Sequence, residues 1–463
     1  MKILALCETV SVQYLPPELH RAHCRGLVWS GRSKREYNQL SEQCFGLHKD
    51  YNCFIIHPYI KWGPKKVSDT NPTRQLEEAA ALIRTLAPWK VNDTLAVPLE
   101  TLDKKEIFGS GTVEKLKQTV RRNQSITAVF INVSRLKSVQ LEELEKIFQV
   151  PIFDRYKIVM QILRLHAITK HAKLQVALAE IPYLRANIKK HDSHFMAASN
   201  FDTRRQMLQN RENKIKGEIK KLRGQRELLR KRRRDIDYPV IAVVGYTNAG
   251  KTSIIKALTG DGKLKPRNQL FATLDVTMHA GLLPCNLEVL FVDTVGFISD
   301  IPTNLIECFV ATLEDALYAD VILHVEDLSS EDYLFQRRHV MSTLENLALQ
   351  TDTKQFQQKM ITVGNKMDIS PLKSTESSGE LCVSAKTLHG LPELTEKLQD
   401  LVISQTNRIV MTIRVPTGGD EIRWLYKNAA VVDVTPDDNQ QRQNARVVIT
   451  RSKLQQFKHH FVQ

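Results

Sequence analysis

Gly245-Tyr246-Thr247-Asn248-Ala249-Gly250-Lys251-Thr252 is a glycine-bounded loop ending in Lys-Thr, and the apolar run Val-Ile-Ala-Val-Val precedes it. Glycines at both ends let backbone N–H groups turn inward around a chain of phosphates. Lys251 brings a point charge to the β- and γ-phosphates, and the Thr252 hydroxyl is a hard oxygen ligand for Mg²⁺. Ser253 follows on the first turn of the helix that the loop opens, and that helix end adds its dipole. A chance glycine turn is the alternative, but a strand before and a helix after are the context this chemistry requires.

That loop alone does not choose between ATP and GTP. Asn365-Lys366-Met367-Asp368 chooses, 114 residues after Lys251 and directly behind the strand-like "KMITVG". The Asp368 carboxylate can accept hydrogen bonds from guanine N1 and its exocyclic amine, a donor pair that adenine does not offer. Asn365 would tie this loop to the phosphate loop, and the Lys366 stem can lie on the base. Ser384-Ala385-Lys386 follows 19 residues after Asn365 and can present a backbone N–H to guanine O6. Four residues of this type are common by chance; the ordered set is specific for GTP.

The switches lie between these motifs. Asp293-Thr294-Val295-Gly296-Phe297 follows the strand-like "EVLFV". Asp293 would hold Mg²⁺ through water, and the Gly296 N–H can reach a γ-phosphate. Phe271-Ala272-Thr273-Leu274-Asp275 is the first switch, with Thr273 closing on Mg²⁺ while the γ-phosphate is present; an ordinary loop threonine is the alternative. Phe297 stands where many GTPases carry a glutamine that orients the attacking water. A phenyl ring accepts no hydrogen bond from water, so full hydrolysis would draw on backbone groups, on a partner, or on a K⁺ ion held by Asn248.

Elements able to position these residues are readable along the chain. "CFIIHPYI", "DTLAVPLE", "ITAVFINV" and "VPIFD" read as strands; "RQLEEAAALIRTL", "GSGTVEKLKQTVRRN" and "VQLEELEKIF" read as helices. Such β-α units predict an N-terminal parallel α/β domain over residues 51–171. Gly109 and Gly111 could cradle a second phosphate, but a plain helix-opening turn explains them. Residues 172–237 predict a basic helical hairpin, with "SHFMAASNFD" as its break and Met207, Leu208, Ile215, Ile219, Leu222 and Leu229 as its apolar stripe. A G domain follows over 238–405, then a small α/β domain over 406–463. There "RIVMTIRVP" and "NARVVITRS" read as strands and "DEIRWLYKNA" and "KLQQFKHHF" as helices. The fold class expected is therefore multidomain α/β with a P-loop G domain.

The 463 residues carry a formal charge of +15. Residues 201–235 concentrate it, with fourteen lysines and arginines against five acidic residues. A solvated charged face is one reading; the sign favours contact with an RNA backbone. No apolar run reaches the roughly 18 residues of a membrane span. The seven cysteines show no C-x-x-C pair, which points to reduced thiols without zinc. His324, His459 and His460 are assigned no metal. Residues 1–35 are mildly basic, a composition shared by a mitochondrial targeting leader and by a short disordered tail, so residues 1–50 are set apart.

The chain resembles the HflX-type GTPases, their mitochondrial members in particular. "GYTNAGKTS", "FATLDVT", "DTVGFISDIPTNLIECFVATLEDALYAD", "GNKMD" and "VSAK" carry the resemblance through the G domain. "VPLETLDKKEIFGSGTVEKL", "AKLQVALAEIPYL" and "EIRWLYKNAAVVDV" extend it to roughly residues 75–460. The resemblance implies GTP and GDP as ligands and Mg²⁺ as cofactor, and a monomer is expected. It also implies binding to the large ribosomal subunit and its rRNA, with a role in ribosome splitting, recycling or assembly. A mitochondrial matrix location follows, with the cytoplasm as alternative. A GTP-regulated RNA chaperone with incidental hydrolysis is the competing function. One departure stands out. Bacterial relatives place a glycine-rich loop before the second long helix, where this chain has "HDSHFMAASNFDTRRQ" without glycine. Contacts to RNA there would have to come from groups such as Arg204 and Arg205.

Overall fold

The computed structural model describes residues 37, 40–42, 45, 50–62, 71–102, 104–191, 198–266, 269–271, 273, 276–299, 313–351, 353, 355–370, 381–437 and 441–462. Most of the expected leader and half of the expected hairpin break lie outside them; within the span set apart as leader, Tyr37, Leu40, Ser41 and Phe45 are helical and buried, and residues 198–202 of the break are helical. Two compact units divide the chain, residues 1–224 with 300–308, and residues 225–299 with 309–463.

In the first unit, β1 (Asn52–Ile60), β2 (Lys90–Leu99), β3 (Ala128–Ile131) and β4 (Ile152–Asp154) form a parallel sheet in the order β2-β1-β3-β4. Helices α1 (Pro72–Thr85), α2 (Ser110–Arg122), α3 (Ser138–Phe148) and α4 (Arg155–His166) cross between or follow these strands. Period-two alternation sends Phe54, Ile56, Val129 and Ile131 into one buried cluster with Leu116, Leu141 and Leu144 of α2 and α3. Asn71 caps α1 through its side chain, with Pro72 in the first turn, and Asp154 caps α4 by accepting the Lys157 N–H. Gly109 stands at the N-cap of α2, the plain helix start expected of it.

Two long helices follow, α5 (Lys170–His191) and α6 (Ala198–Ile236). Lys170 pairs with Glu218 at 2.9 Å and Arg185 with Glu212 at 2.5 Å, so the two run antiparallel. Leu208 and Ile215 are buried, and Met207, Ile219 and Leu222 are half-buried beside charged neighbours. At 39 residues α6 is about 58 Å long, with most of its lysines and arginines turned outward.

The second unit holds a six-stranded sheet in the order β10-β9-β8-β5-β7-β6. Its strands are β5 (Val240–Gly245), β6 (Thr277–Leu282), β7 (Glu288–Asp293), β8 (Val321–Asp327), β9 (Met360–Asn365) and β10 (Leu381–Cys382). Only β6 runs antiparallel to its neighbour; the other pairings are parallel. Helices α7 (Lys251–Thr259), α8 (Tyr333–Thr351) and α9 (Leu391–Gln405) follow strands of this sheet. Ile241, Val243, Leu323 and Val325 meet Ile254, Leu394 and Leu398 in its core. This arrangement gathers the carboxyl ends of β5, β7, β8 and β9 along one rim, the place where open α/β sheets bind ligands.

The last element group is an antiparallel sheet of β11 (Arg408–Pro416), β12 (Ala430–Pro436) and β13 (Arg442–Thr450), in the order β11-β13-β12. It carries α10 (Asp420–Asn428) and α11 (Arg451–Phe461) on a core of Leu425, Val447, Ile449 and Phe457. Val448 points the opposite way and joins the six-stranded sheet's core, and Asn286 donates to the Val431 carbonyl at 2.9 Å.

Candidate nucleotide site

The loop from Gly245 to Gly250 joins β5 to α7. Asn248 and Gly250 take positive φ, 61° and 92°, which curls the chain back on itself. Gly250 cannot carry a side chain, because a methyl group there would strike Asn365 Nδ2. Ala249 is buried, Asn248 is exposed, and Thr252 and Ser253 lie half-buried on the first turn of α7. Lys251 is 6% exposed, and its ammonium donates to the Gly245 and Tyr246 carbonyls at 3.2 and 2.9 Å. Burial lowers its pKa to about 8, against the opposing charge of Asp293.

Three oxygen groups converge beside it. Thr252 Oγ1 donates to Asp293 Oδ2 at 2.6 Å, Thr273 Oγ1 donates to the same oxygen at 3.1 Å, and the two hydroxyls are 3.3 Å apart. Asp293 is 1% exposed, and burial raises its pKa although Lys251 and both hydroxyls oppose the shift. Its Oδ1 is buried without a hydrogen-bond partner among the described residues. One carboxylate and two hydroxyls are a hard-oxygen set that suits Mg²⁺, which keeps waters and takes phosphate oxygens for the rest of its shell. Among the described residues no group of three or more His, Cys, Asp or Glu is placed to hold a metal ion.

The base-side motifs close on the same rim. Asn365 is buried and donates to the Ala249 carbonyl at 2.9 Å, while its Oδ1 accepts the Ala385 N–H at 3.1 Å. One amide thereby joins the phosphate loop, the β9 end and the Ser384-Ala385-Lys386 turn. Lys366 has φ 64° and pairs with Asp327 at 2.7 Å, which fixes the stem expected to lie along the base. Ser384 Oγ donates to Asp368 Oδ1 at 2.7 Å, and Met367 N–H donates to the Val383 carbonyl at 3.2 Å. Lys386 is exposed.

The first switch is described only at Phe271, which is buried with φ 53°, and at Thr273; Ala272, Leu274 and Asp275 lie outside the described residues. In the second, Thr294 Oγ1 donates to the Val243 carbonyl at 2.7 Å and Val295 is buried. Phe297 is 6% exposed and its backbone pairs with Tyr246 as an isolated parallel bridge. Two features escaped the sequence reading. Asp327 could have been found as a carboxylate closing the strand-like "VILHVED". The Tyr246–Ser299 hydroxyl pair, 2.9 Å apart, had no signal beyond a serine two residues past Phe297.

Comparison with known proteins agrees with this geometry. Residues 240–366 match the family described as 50S ribosome-binding GTPase. Residues 73–163 match the GTP-binding GTPase N-terminal family, and 166–233 its middle region. The chain is 43% identical to GTP-binding protein 6 of Xenopus laevis over 422 residues, 88% of this chain and 79% of that protein. Against its Homo sapiens counterpart it is 43% identical over 417 residues, 87% and 80% of the two chains. GTPase HflX of Magnetococcus marinus is 31% identical over 389 residues, 80% and 87%. A GTP-binding protein of Sulfolobus solfataricus solved with GDP covers 76% of this chain and 99% of its own, at 22% identity and a TM-score of 0.41. With this length of similarity and a complete set of guanine-nucleotide motifs on one rim, the chain belongs to the HflX family of GTPases.

Proposed function

We propose that this GTPase works on the large ribosomal subunit, in splitting, recycling and assembly, and that it does so in the mitochondrial matrix. The observation that carries the nucleotide part is the convergence of Thr252, Thr273 and Asp293 beside Lys251. In this reading backbone N–H groups from Asn248 to Ser253 hold the phosphates. Thr252 and Thr273 bind Mg²⁺ directly and Asp293 binds it through water. When bound, the ion neutralises charge on the β- and γ-phosphates. Asp368 reads guanine N1 and N2, and the Ala385 N–H reads O6. Asn248 is the candidate K⁺ ligand.

The ribosomal part rests on helix α6 and on family. Exposed Lys214, Lys216, Lys220, Lys221 and Arg223 make a basic face suited to rRNA phosphates. Sedimentation of the monomeric chain with large subunits tests it. Binding with a non-hydrolysable GTP analogue and release with GDP is the expected result; equal pelleting in both states would remove the nucleotide coupling. The same basic face favours a second reading, an RNA chaperone that GTP only regulates. A Thr273→Ala variant that binds GTP without hydrolysing it, yet keeps multiple-round activity, would select that reading.

A further inference from the structure

Tyr246 is the second residue of the phosphate loop, and its side chain does something the loop motif does not ask for. It is 5% exposed, and its hydroxyl lies 2.9 Å from Ser299 Oγ and accepts the Ser299 N–H at 2.9 Å. Ser299 is itself 5% exposed, so both polar groups satisfy each other away from water. The backbone is fastened at the same point. Phe297 N–H donates to the Gly245 carbonyl at 3.1 Å, and Thr247 N–H donates to the Phe297 carbonyl at 2.6 Å.

These bonds press Gly296 onto the loop. A methyl group on its Cα would lie 2.8 Å from Thr247 Cα and 3.0 Å from Lys251 Nζ. In a GTPase the γ-phosphate lies between the loop lysine and the N–H of this glycine. The second switch therefore holds the ground that a γ-phosphate needs, whereas the β-phosphate of GDP sits lower, at the N-terminus of α7. GTP must lift residues 296–299 off the loop; GDP need not.

We propose that Tyr246 is a specificity-determining positioning residue: its hydroxyl clasps Ser299 and sets how strongly the site prefers GDP over GTP. The clasp opens when the γ-phosphate arrives and re-forms after hydrolysis, which gives the two switch states unequal energies. The aromatic ring packs edge-on to His339, with centroids 6.5 Å apart, so Phe in its place keeps the ring packing and loses the clasp.

The inference rests on the guanine-nucleotide reading of the site, and one titration series separates their failures. Fluorescent GDP and a fluorescent non-hydrolysable GTP analogue are titrated into the full chain and into Tyr246→Phe, Ser299→Ala and the double variant. Loss of one buried hydrogen bond should raise the GTP-to-GDP affinity ratio about five- to thirty-fold in Tyr246→Phe. GDP affinity should move less than about two-fold in Ser299→Ala, and the double variant should add little to either single one. An unchanged or lowered ratio in Tyr246→Phe overturns the proposal. If that variant does not fold, Ser299→Ala decides by the same ratio. Absence of GDP binding by the unsubstituted chain would overturn the nucleotide reading itself.

Discussion

Phe297 frames the chemistry of single residues. Its backbone is bonded on both sides to the phosphate loop and its ring is buried, so what stands at this position is a structural side chain, remote in kind from a water-orienting amide. Phe297→Gln should therefore change partner-free GTP turnover by less than about three-fold, against the 10³–10⁵-fold that groups supplied in trans add to other GTPases. A steady-state phosphate-release assay decides, and a hundred-fold gain would show that the side chain was limiting. Asp368 should be far less tolerant. Asp368→Asn keeps an oxygen for the Ser384 hydroxyl but loses a charged acceptor for guanine, and GTP affinity should fall about 10- to 100-fold by nucleotide titration. Most of these residues were legible because their spacing is local: a loop between a strand and a helix, or four residues after a strand. Asp327 and the Tyr246–Ser299 pair were not. Their roles come from the register of β8 with β9 and of β5 with β7, which brings residues 39 and 53 positions apart into contact.

Among the elements, β8 shows what a buried strand does to a titratable group. His324 is 1% exposed, and burial together with the charges of Arg337 and Lys251 drives its pKa down to about 3. Glu326 lies 3.5 Å from its Nδ1 but is already held by Arg337 of α8 at 2.5 and 2.6 Å. The imidazole is thus neutral in the fold and protonates in the unfolded chain below about pH 6.5. The stability it contributes is complete above that pH and is lost as pH falls toward 3. At pH 5 the loss is about 2 kcal/mol. Melting temperatures measured from pH 7.5 to 5 should fall, and His324→Leu should flatten that part of the slope; an identical slope would contradict the neutral assignment. The sequence reading assigned this histidine no metal, and its place inside the apolar run "VILHVED" was there to be read. It missed β6 and β12 altogether. Both are edge strands, where polar and charged residues such as His279 and Asp433 interrupt the apolar pattern, and β12 shifts register between Val431 and Asp433.

For the whole chain, basic charge is concentrated on one element. Helix α6 carries the densest positive charge, and its Arg226 pairs at 3.3 Å with Asp315, which follows the second switch. The alternation of strands and helices made the α/β class legible; charge counting supports no more than the expectation of a polyanionic partner. Nothing in composition could say that the phosphate loop and second switch would be stapled together. That staple holds Phe297 where a water-orienting amide would stand, so full hydrolytic rate is expected to need a partner. The most direct test is GTP turnover by the purified chain with and without isolated large ribosomal subunits, in K⁺ and in Na⁺ buffer. Slow turnover is expected of the chain alone, with on the order of 10³-fold or more acceleration by subunits and faster rates in K⁺. Turnover unchanged by subunits would contradict it.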